Sequence, residues 1–379
     1  MSIRTLVNPY AVEILYEPPP DRAPLSFHRR LPGYEETPLV DAPQLAHRLG
    51  VDKVFVKDES NRLGLPAFKI LGASWAVYRA LEELMDDEGF GGWGTLDDLK
   101  AKLQPLRPLS LVAATDGNHG RAVARVARTL GLGAKIFVPE DLVTARHEAI
   151  AGEGAEILVV NGTYDEAVER SAEADGLLIS DTSWPGYERV PWWVIEGYST
   201  MLWEIEDELD RRGEHGPDLV VVQAGVGALA AAVARHFRRP GVAPNPKLIG
   251  IEPTAADCLF QSASAGRLVS VPGPHDSIMA GLNCGRPSLV AWPTLSKSID
   301  LFVSVDDEPI RDAMRLAAGS GIVSGETGAA GLGGLLGLLL TEEGKEARRT
   351  LGIDADTRVL VFNSEGATNP DAYRRVTSG

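Results

Sequence analysis

From residue 54 onward the apolar and polar positions follow two alternating rhythms. The run over 54–59, opening Val-Phe-Val, reads as a strand, and the residues over 70–85 repeat apolar positions at helical spacing. After an insertion over 89–108 that carries Gly and Leu, the rhythms take turns. Strands are expected over 110–114, 134–139, 155–160 and 177–180, and helices over 118–130, 144–152 and 164–174. A long helix over 194–211 follows. The alternation then resumes with strands over 218–223, 246–252, 300–305 and 358–362, and helices over 228–237, 257–265, 288–297, 308–319 and 328–340. Strands that alternate with helices predict parallel sheets whose faces the helices cover. The expected class is therefore α/β, with two open, mostly parallel sheets, helices on both faces, and a cleft between them. The first forty residues break the pattern. Pro18, Pro19, Pro20, Pro24, Pro32 and Pro38 predict an irregular segment wrapped over the surface, leading into the core at Leu39.

Charge and composition remove several classes of function. Lys and Arg number 37 and Asp and Glu 53, a net charge of −16, so phosphate backbones and anionic lipid are repelled. Nothing approaches the ~18 consecutive apolar residues of a membrane span, and the N-terminus lacks a secretory pattern, so a cytoplasmic protein is expected. The two cysteines cannot form a disulfide scaffold. Cys258 and Cys284 flank the loop that would cover the cleft. A reduced pair is expected in a reducing cytoplasm, with a disulfide as the alternative. His28, His47, His147 and His275 show no ligand spacing, and no catalytic metal is expected. The acidic stretch over 82–88 reads as a solvated helix end. Trp192, Trp193 and Trp203 read as core or dimer-interface residues. Glycine, at 40 residues, clusters at the ends of apolar runs, where a backbone approaches something closely.

Three loops at strand ends carry candidate chemistry. In Leu65-Pro-Ala-Phe-Lys-Ile70, Lys69 stands where a helix begins. It is either a solvated charge or a desolvated lysine whose ammonium is disfavoured, a neutral amine able to form a Schiff base. In Ala114-Thr-Asp-Gly-Asn-His-Gly120, Thr115 or Asp116 can cap a helix, but the run of polar residues exceeds what a cap requires. Helix-start N–H groups there attract an anion, Asp116 is a candidate acid or base, and Asn118 a fixed donor; His119 reads as structural. The third loop, Gln223-Ala-Gly-Val-Gly-Ala-Leu229, is an anion cradle between a strand and an Ala-rich helix. It also fits a dinucleotide fingerprint, with Glu252 closing the next strand where an acid would meet a ribose, which makes a nicotinamide (NAD)-dependent dehydrogenase the rival reading.

Taken together, the loops resemble the fold-type II pyridoxal-phosphate enzymes, which include the threonine and serine dehydratases, and among them most closely the diaminopropionate ammonia-lyase family. The segments that carry the resemblance begin at Ala67, Ala114, Ser180, Ser324 and Asn363, and it runs from about residue 30 to the C-terminus. One departure stands out: dehydratases usually have Ser-x-Gly-Asn where this chain has Thr-Asp-Gly-Asn. The resemblance implies a pyridoxal 5'-phosphate cofactor, Lys69 as its Schiff-base lysine following Phe68, and Asn118 on its phenolic oxygen. Gly225, Val226, Gly227 and Ala228 would face its phosphate and Ser364 its pyridine nitrogen. Thr115, Asp116 and Asp181 would meet the substrate, with Asp116 opposite the lysine and Asp181 on the β-ammonium or assisting proton transfer. Glu326 is read evenly as a cofactor-edge contact or a cap. The implied reaction is α,β-elimination of ammonia from 2,3-diaminopropionate, with a threonine- or serine-type dehydratase as the alternative and a non-catalytic relative as a third. The resemblance also implies a homodimer, a large domain over 1–86 and 184–379, and a small domain over 87–183.

Overall fold

Parallel strands rich in Val, Ile, Leu and Phe can lose water on both faces only if helices cover them. The computed structural model, which describes residues 3–85, 90, 92–242 and 245–378, does this twice. The chain opens with β1 (Ile3–Val7), α1 (Ala23–His28), β2 (Leu39–Asp41), α2 (Pro43–Leu49), β3 (Lys53–Asp58) and α3 (Lys69–Leu84). A central stretch runs α4 (Leu96–Lys102), β4 (Ser110–Ala114), α5 (Asn118–Leu130), β5 (Gly133–Pro139), α6 (Thr144–Ala151), β6 (Glu156–Val160), α7 (Tyr164–Ala172) and β7 (Leu177–Leu178). The long α8 (Arg189–Arg212) leads to β8 (Leu219–Gln223), α9 (Ala228–Phe237), β9 (Lys247–Pro253), α10 (Cys258–Ala265), α11 (Trp292–Ser298) and β10 (Leu301–Val305). The chain ends with α12 (Asp307–Gly319), α13 (Ala330–Leu340), α14 (Lys345–Leu351), β11 (Arg358–Asn363) and α15 (Pro370–Thr377).

Among the described residues these strands form two sheets, ordered β1-β10-β9-β8-β11-β3-β2 and β6-β5-β4-β7. The interior pairings of the first and all pairings of the second are parallel; β1 and β2 close the edges of the first sheet antiparallel. The second sheet uses only residues within 110–178. Registers bring the strand ends level. Asn363 of β11 pairs with Asp58 of β3, so the loop leading to Lys69 emerges beside the loop after β11. The two are stitched by Glu59 N to Asn363 O at 2.8 Å, Phe68 N to Ser364 O at 3.3 Å and Gly366 N to Pro66 O at 2.9 Å.

Two features hold α3, and Lys69 with it. α3 crosses α8 at glycines from both helices. A Cβ on Gly72 would lie 2.5 Å from the Tyr198 ring, and one on Gly197 would lie 2.5 Å from Leu71 O. Behind the loop before Lys69 sits a charge cluster at 0–1 % exposure: Lys57 Nζ and Arg62 Nη2 each lie 2.7 Å from Glu204 Oε2, and Arg62 Nη2 lies 2.6 Å from Glu59 Oε1. Two cations and two anions balance, so none is left bare in a low dielectric.

Several expectations are corrected. The first forty residues are not irregular throughout: they form β1, α1 and the start of β2. Pro24 sits in the first turn of α1, where its missing N–H costs nothing, and β1 is an edge strand that one partner suffices to hold. The insertion contains α4, started by a capping box between Thr95 and Asp98. α8 begins at Arg189, since Pro191 falls in its first turn, where proline is tolerated. α2, α14 and α15 were not anticipated. β7 spans only two residues, so Asp181 lies beyond the strand and not at its end. The acidic helix end is described only in part, residues 86–89 lying outside the described ones; Glu82 and Glu83 pair with Arg79 and Arg189. Trp193 and Trp203 are buried on α8. No helix among the described residues is long and apolar enough to cross a membrane.

Candidate active site

Lys69 is the first residue of α3, and its side chain is 20 % exposed at the carboxyl ends of the strands. Its Nζ donates to Asp181 Oδ2 at 2.6 Å. Tyr164, at the start of α7, donates its hydroxyl to Asp181 Oδ1 at 3.3 Å. Burial is the largest influence and would lower the lysine's pKa, as the sequence suggested, but Asp181, Tyr198 and Asp116 together more than offset it and the net shift is upward. The charged form of Lys69 is therefore favoured while it faces Asp181. Burial pushes Asp181 up, but the Lys69 charge and the hydrogen bonds from Lys69 and Tyr164 more than reverse this and hold it well below the usual carboxylate range.

The turn after β4 supplies the opposite wall. Gly117, at φ +148°, precedes α5 with no side-chain cap, and Thr115 Oγ1 accepts from Gly117 N at 2.8 Å. Thr115 therefore braces the turn and does not cap the helix. A Cβ on Gly117 would sit 2.9 Å from Arg146 Cδ. Burial raises the Asp116 carboxyl to about 6; Arg146 and Lys69 oppose the rise, and Asp181 and Glu365 add to it. His119 Nε2 lies 2.8 Å from Ile179 O. A carbonyl can only accept, so Nε2 carries the proton and Nδ1 is the bare nitrogen, 3.9 Å from Asp181.

The third wall is the loop between β8 and α9. Gly227, at φ +101°, and Gly225 let the backbone turn the free N–H groups of the α9 N-terminus inward. A Cβ on Gly225 would come 3.2 Å from Cys284 Sγ, and one on Gly227 2.7 Å from Leu295 Cδ1. Cys258 and Cys284 are both free and buried. Gln223 Nε2 faces Phe362 O at 3.0 Å and Thr327 O at 3.2 Å, so this end of the amide is the nitrogen, and it donates to Ser364 Oγ at 2.7 Å. The hydroxyl hydrogen of Ser364 is left to point into the pocket.

The structure brings these candidates to one cavity: Phe68, Lys69, Thr115, Asp116, Asn118, Asp181, Gly225, Val226, Gly227, Ala228 and Ser364. Glu326 is outside it, buried in the turn before α13. Tyr164, Gln223, Thr327 and Glu365 line it unforeseen, and His119, read as structural, is a lining residue too. An acid after a strand and a tyrosine at a helix start are ordinary in sequence, so neither Glu365 nor Tyr164 carried a signal of its own. The dinucleotide reading loses its acid. Glu252 is buried, and its two oxygens accept from Leu259 N and Phe260 N at 2.7 Å each, holding the start of α10.

Comparison with known proteins fits this geometry. The family described as pyridoxal-phosphate dependent enzyme matches residues 30–361. The diaminopropionate ammonia-lyase of Salmonella typhimurium is 37% identical over 93% of this chain and 90% of its own length, and that of Escherichia coli K12 36% over 92% and 89%. The crystal structure of the Escherichia coli enzyme with an aminoacrylate-PLP azomethine reaction intermediate superposes with a TM-score of 0.88 at 32% identity, covering 99% and 96% of the two chains. The processed form of threonine deaminase isoform 2 from Solanum lycopersicum, at 22% identity and TM-score 0.71 over 99% and 96% of the two chains, shares the fold. The residues present suit the family's cofactor. A primary amine stands at one end of the cavity, a glycine-lined helix N-terminus suited to a phosphate at another, and an oriented hydroxyl at Ser364. By fold, by site and by sequence, the chain is a fold-type II member of the pyridoxal-phosphate dependent enzyme family, on the branch of the diaminopropionate ammonia-lyases.

Proposed function

We propose that this chain eliminates ammonia from 2,3-diaminopropionate: diaminopropionate and water give pyruvate and two ammonia. Lys69 would hold pyridoxal phosphate beside Phe68, with Asn118 on its phenolic oxygen, Gly225, Val226, Gly227 and Ala228 on its phosphate, and Ser364 on its pyridine nitrogen. When bound, that cofactor supplies a carbonyl that condenses with amines and a conjugated ring that accepts the electron pair left at Cα. A hydroxyl donor at Ser364 leaves the pyridine nitrogen unprotonated, which suits elimination better than transamination. Lys69 Nζ, as the free amine, and the Asp116 carboxylate would take the Cα proton of opposite enantiomers. Asp181 holds the Lys69 ammonium and accepts from Tyr164, so it is placed to hold the substrate's β-ammonium in turn or to pass a proton to it. Thr115 would help bind the substrate.

The observation that carries this reading is the Lys69–Asp181 pair facing Asp116 in one cavity. Two acids around the β-position favour a cationic leaving group over a hydroxyl. The domain division over 1–86 and 184–379 against 87–183 is proposed with it, supported by the second sheet's confinement to 110–178; the boundary near 86–87 lies outside the described residues. A cytoplasmic homodimer is proposed too, supported by two free cysteines and by Tyr10 and Tyr16, 72 % and 88 % exposed on the N-terminal segment. Steady-state rates for both diaminopropionate enantiomers, D- and L-serine and L-threonine decide the substrate. A clear preference for a hydroxy amino acid sinks the assignment. The holoenzyme's visible band should disappear with borohydride, and a colourless protein that retains a nicotinamide would restore the dehydrogenase.

A further inference from the structure

Glu365 is 1 % exposed, yet no described residue forms an ion pair with it. One oxygen accepts from Thr327 N at 3.1 Å and the other from Asn118 Nδ2. Its backbone is locked as well. Glu365 pairs with Ala67 two residues before Lys69, and its carbonyl accepts from Gly325 N at 3.0 Å. A Cβ on Gly328 would meet that carbonyl at 2.3 Å, so glycine is needed there for the close approach. Asn118 belongs to the turn after β4 of the second sheet and Glu365 to the loop after β11 of the first. Their hydrogen bond spans the cavity wall from one sheet to the other.

An asparagine amide has two faces of opposite polarity, and nothing local to Asn118 selects between them. Glu365 already accepts from Thr327 N through one oxygen and turns the other toward Asn118 as an acceptor, so it requires the NH₂ end of Asn118 to turn toward it. That end carries two hydrogens. With one spent on Glu365, the other is directed into the cavity. We propose that Glu365 is a positioning residue that holds the Asn118 amide with a donor presented to the cofactor's ring oxygen. This rests on the cofactor reading above and assigns a role to a residue which that reading leaves unused.

Cofactor affinity, measured by titrating the cofactor-free protein with pyridoxal 5'-phosphate and following the visible band, tests it across a double-mutant cycle. In Glu365→Gln the new amide can present a donor to Asn118 and let it turn over. Its affinity should fall about tenfold or more, on the scale of a hydrogen bond to a charged group, and its visible maximum should shift. Asn118→Ala should weaken binding similarly, and Glu365→Gln should add nothing in that background. Equal losses for Glu365→Gln with and without Asn118, or unchanged affinity and spectrum, overturn the inference. If circular dichroism shows Glu365→Gln unfolded, Glu365→Asp replaces it: the shorter acceptor should give an intermediate loss that vanishes in Asn118→Ala, and a loss that persists there overturns the proposal. A wild-type protein that binds no cofactor instead overturns the functional reading, and this inference with it.

Discussion

Lys69 and Asp181 lie 112 positions apart in sequence and 2.6 Å apart in space, and burial, which disfavours both charges, is offset for each by the other and by further neighbours. Asp181→Asn removes the counter-charge and the proton acceptor together. We expect kcat/KM for diaminopropionate to fall by roughly 10²–10⁴-fold, measured beside a melting curve that shows the fold retained; a fall of less than about threefold refutes an acid–base or substrate-holding role. Asp116 offers a pH test. Its carboxyl is raised to about 6 from 3.8, chiefly by burial. The fold therefore favours its protonated form, and that contribution is full below pH 3.8 and lost as pH rises through about 6. In the cofactor-free protein, Asp116→Asn should remove this segment of the stability–pH curve, seen by urea unfolding between about pH 4 and 6. An unchanged slope there would mean that Asp116 is solvated. Both acids were legible in the sequence because they stand in loops that interrupt apolar strands. Glu365 and Tyr164 were not, because an acid after a strand and a tyrosine at a helix start are ordinary until their neighbours are known.

At the scale of elements, α3 and α8 approach closely enough to hold Lys69 only because Gly72 and Gly197 carry no side chain where they cross. Gly72→Ala would set a methyl 2.5 Å from Tyr198, whose ring also packs 4.7 Å from Phe68. Overpacking of this kind costs about 1–3 kcal/mol, and guanidinium unfolding should show a loss in that range. A variant as stable as wild type would mean that the crossing relaxes freely. The central helices and strands were readable because each has a long apolar face of one period. The elements that escaped were short, at edges or at chain ends. β1 and β2 are held by one neighbour each, α4 by a cap, and α15, with no buried residue, by Asn369 accepting from Ala372 N at 3.2 Å. Such elements pair a hydrogen bond or a strand partner with only a short apolar face, as Tyr373 and Val376 of α15 or Leu96 and Leu99 of α4, too brief to read as a period.

Across the whole molecule, α1, α3 and α8 meet at His28, which is fully buried. Its Nε2 lies 3.0 Å from Leu71 O and its Nδ1 2.7 Å from Thr200 Oγ1. Burial first, and the Arg62 charge second, lower its pKa to about 3. The folded state thus needs a neutral ring, and the stability this contributes is present above pH 6.5 and lost as pH falls toward 3. His28→Gln should flatten the stability curve between pH 6.5 and 3, whatever its overall cost, in chemical unfolding at stepped pH; an acid limb as steep as that of wild type would assign it to other groups, such as His236. The sequence by itself determined the α/β alternation and the loops that bear the chemistry, because periodicity, glycine and strand-end polarity are local signals. Only the tertiary structure decided that Lys69 faces Asp181, that Glu252 holds a helix start and meets no ribose, and that Glu365 faces Asn118. Electrostatic and hydrogen-bonding energies depend on distance in space, and the chain order does not record that distance.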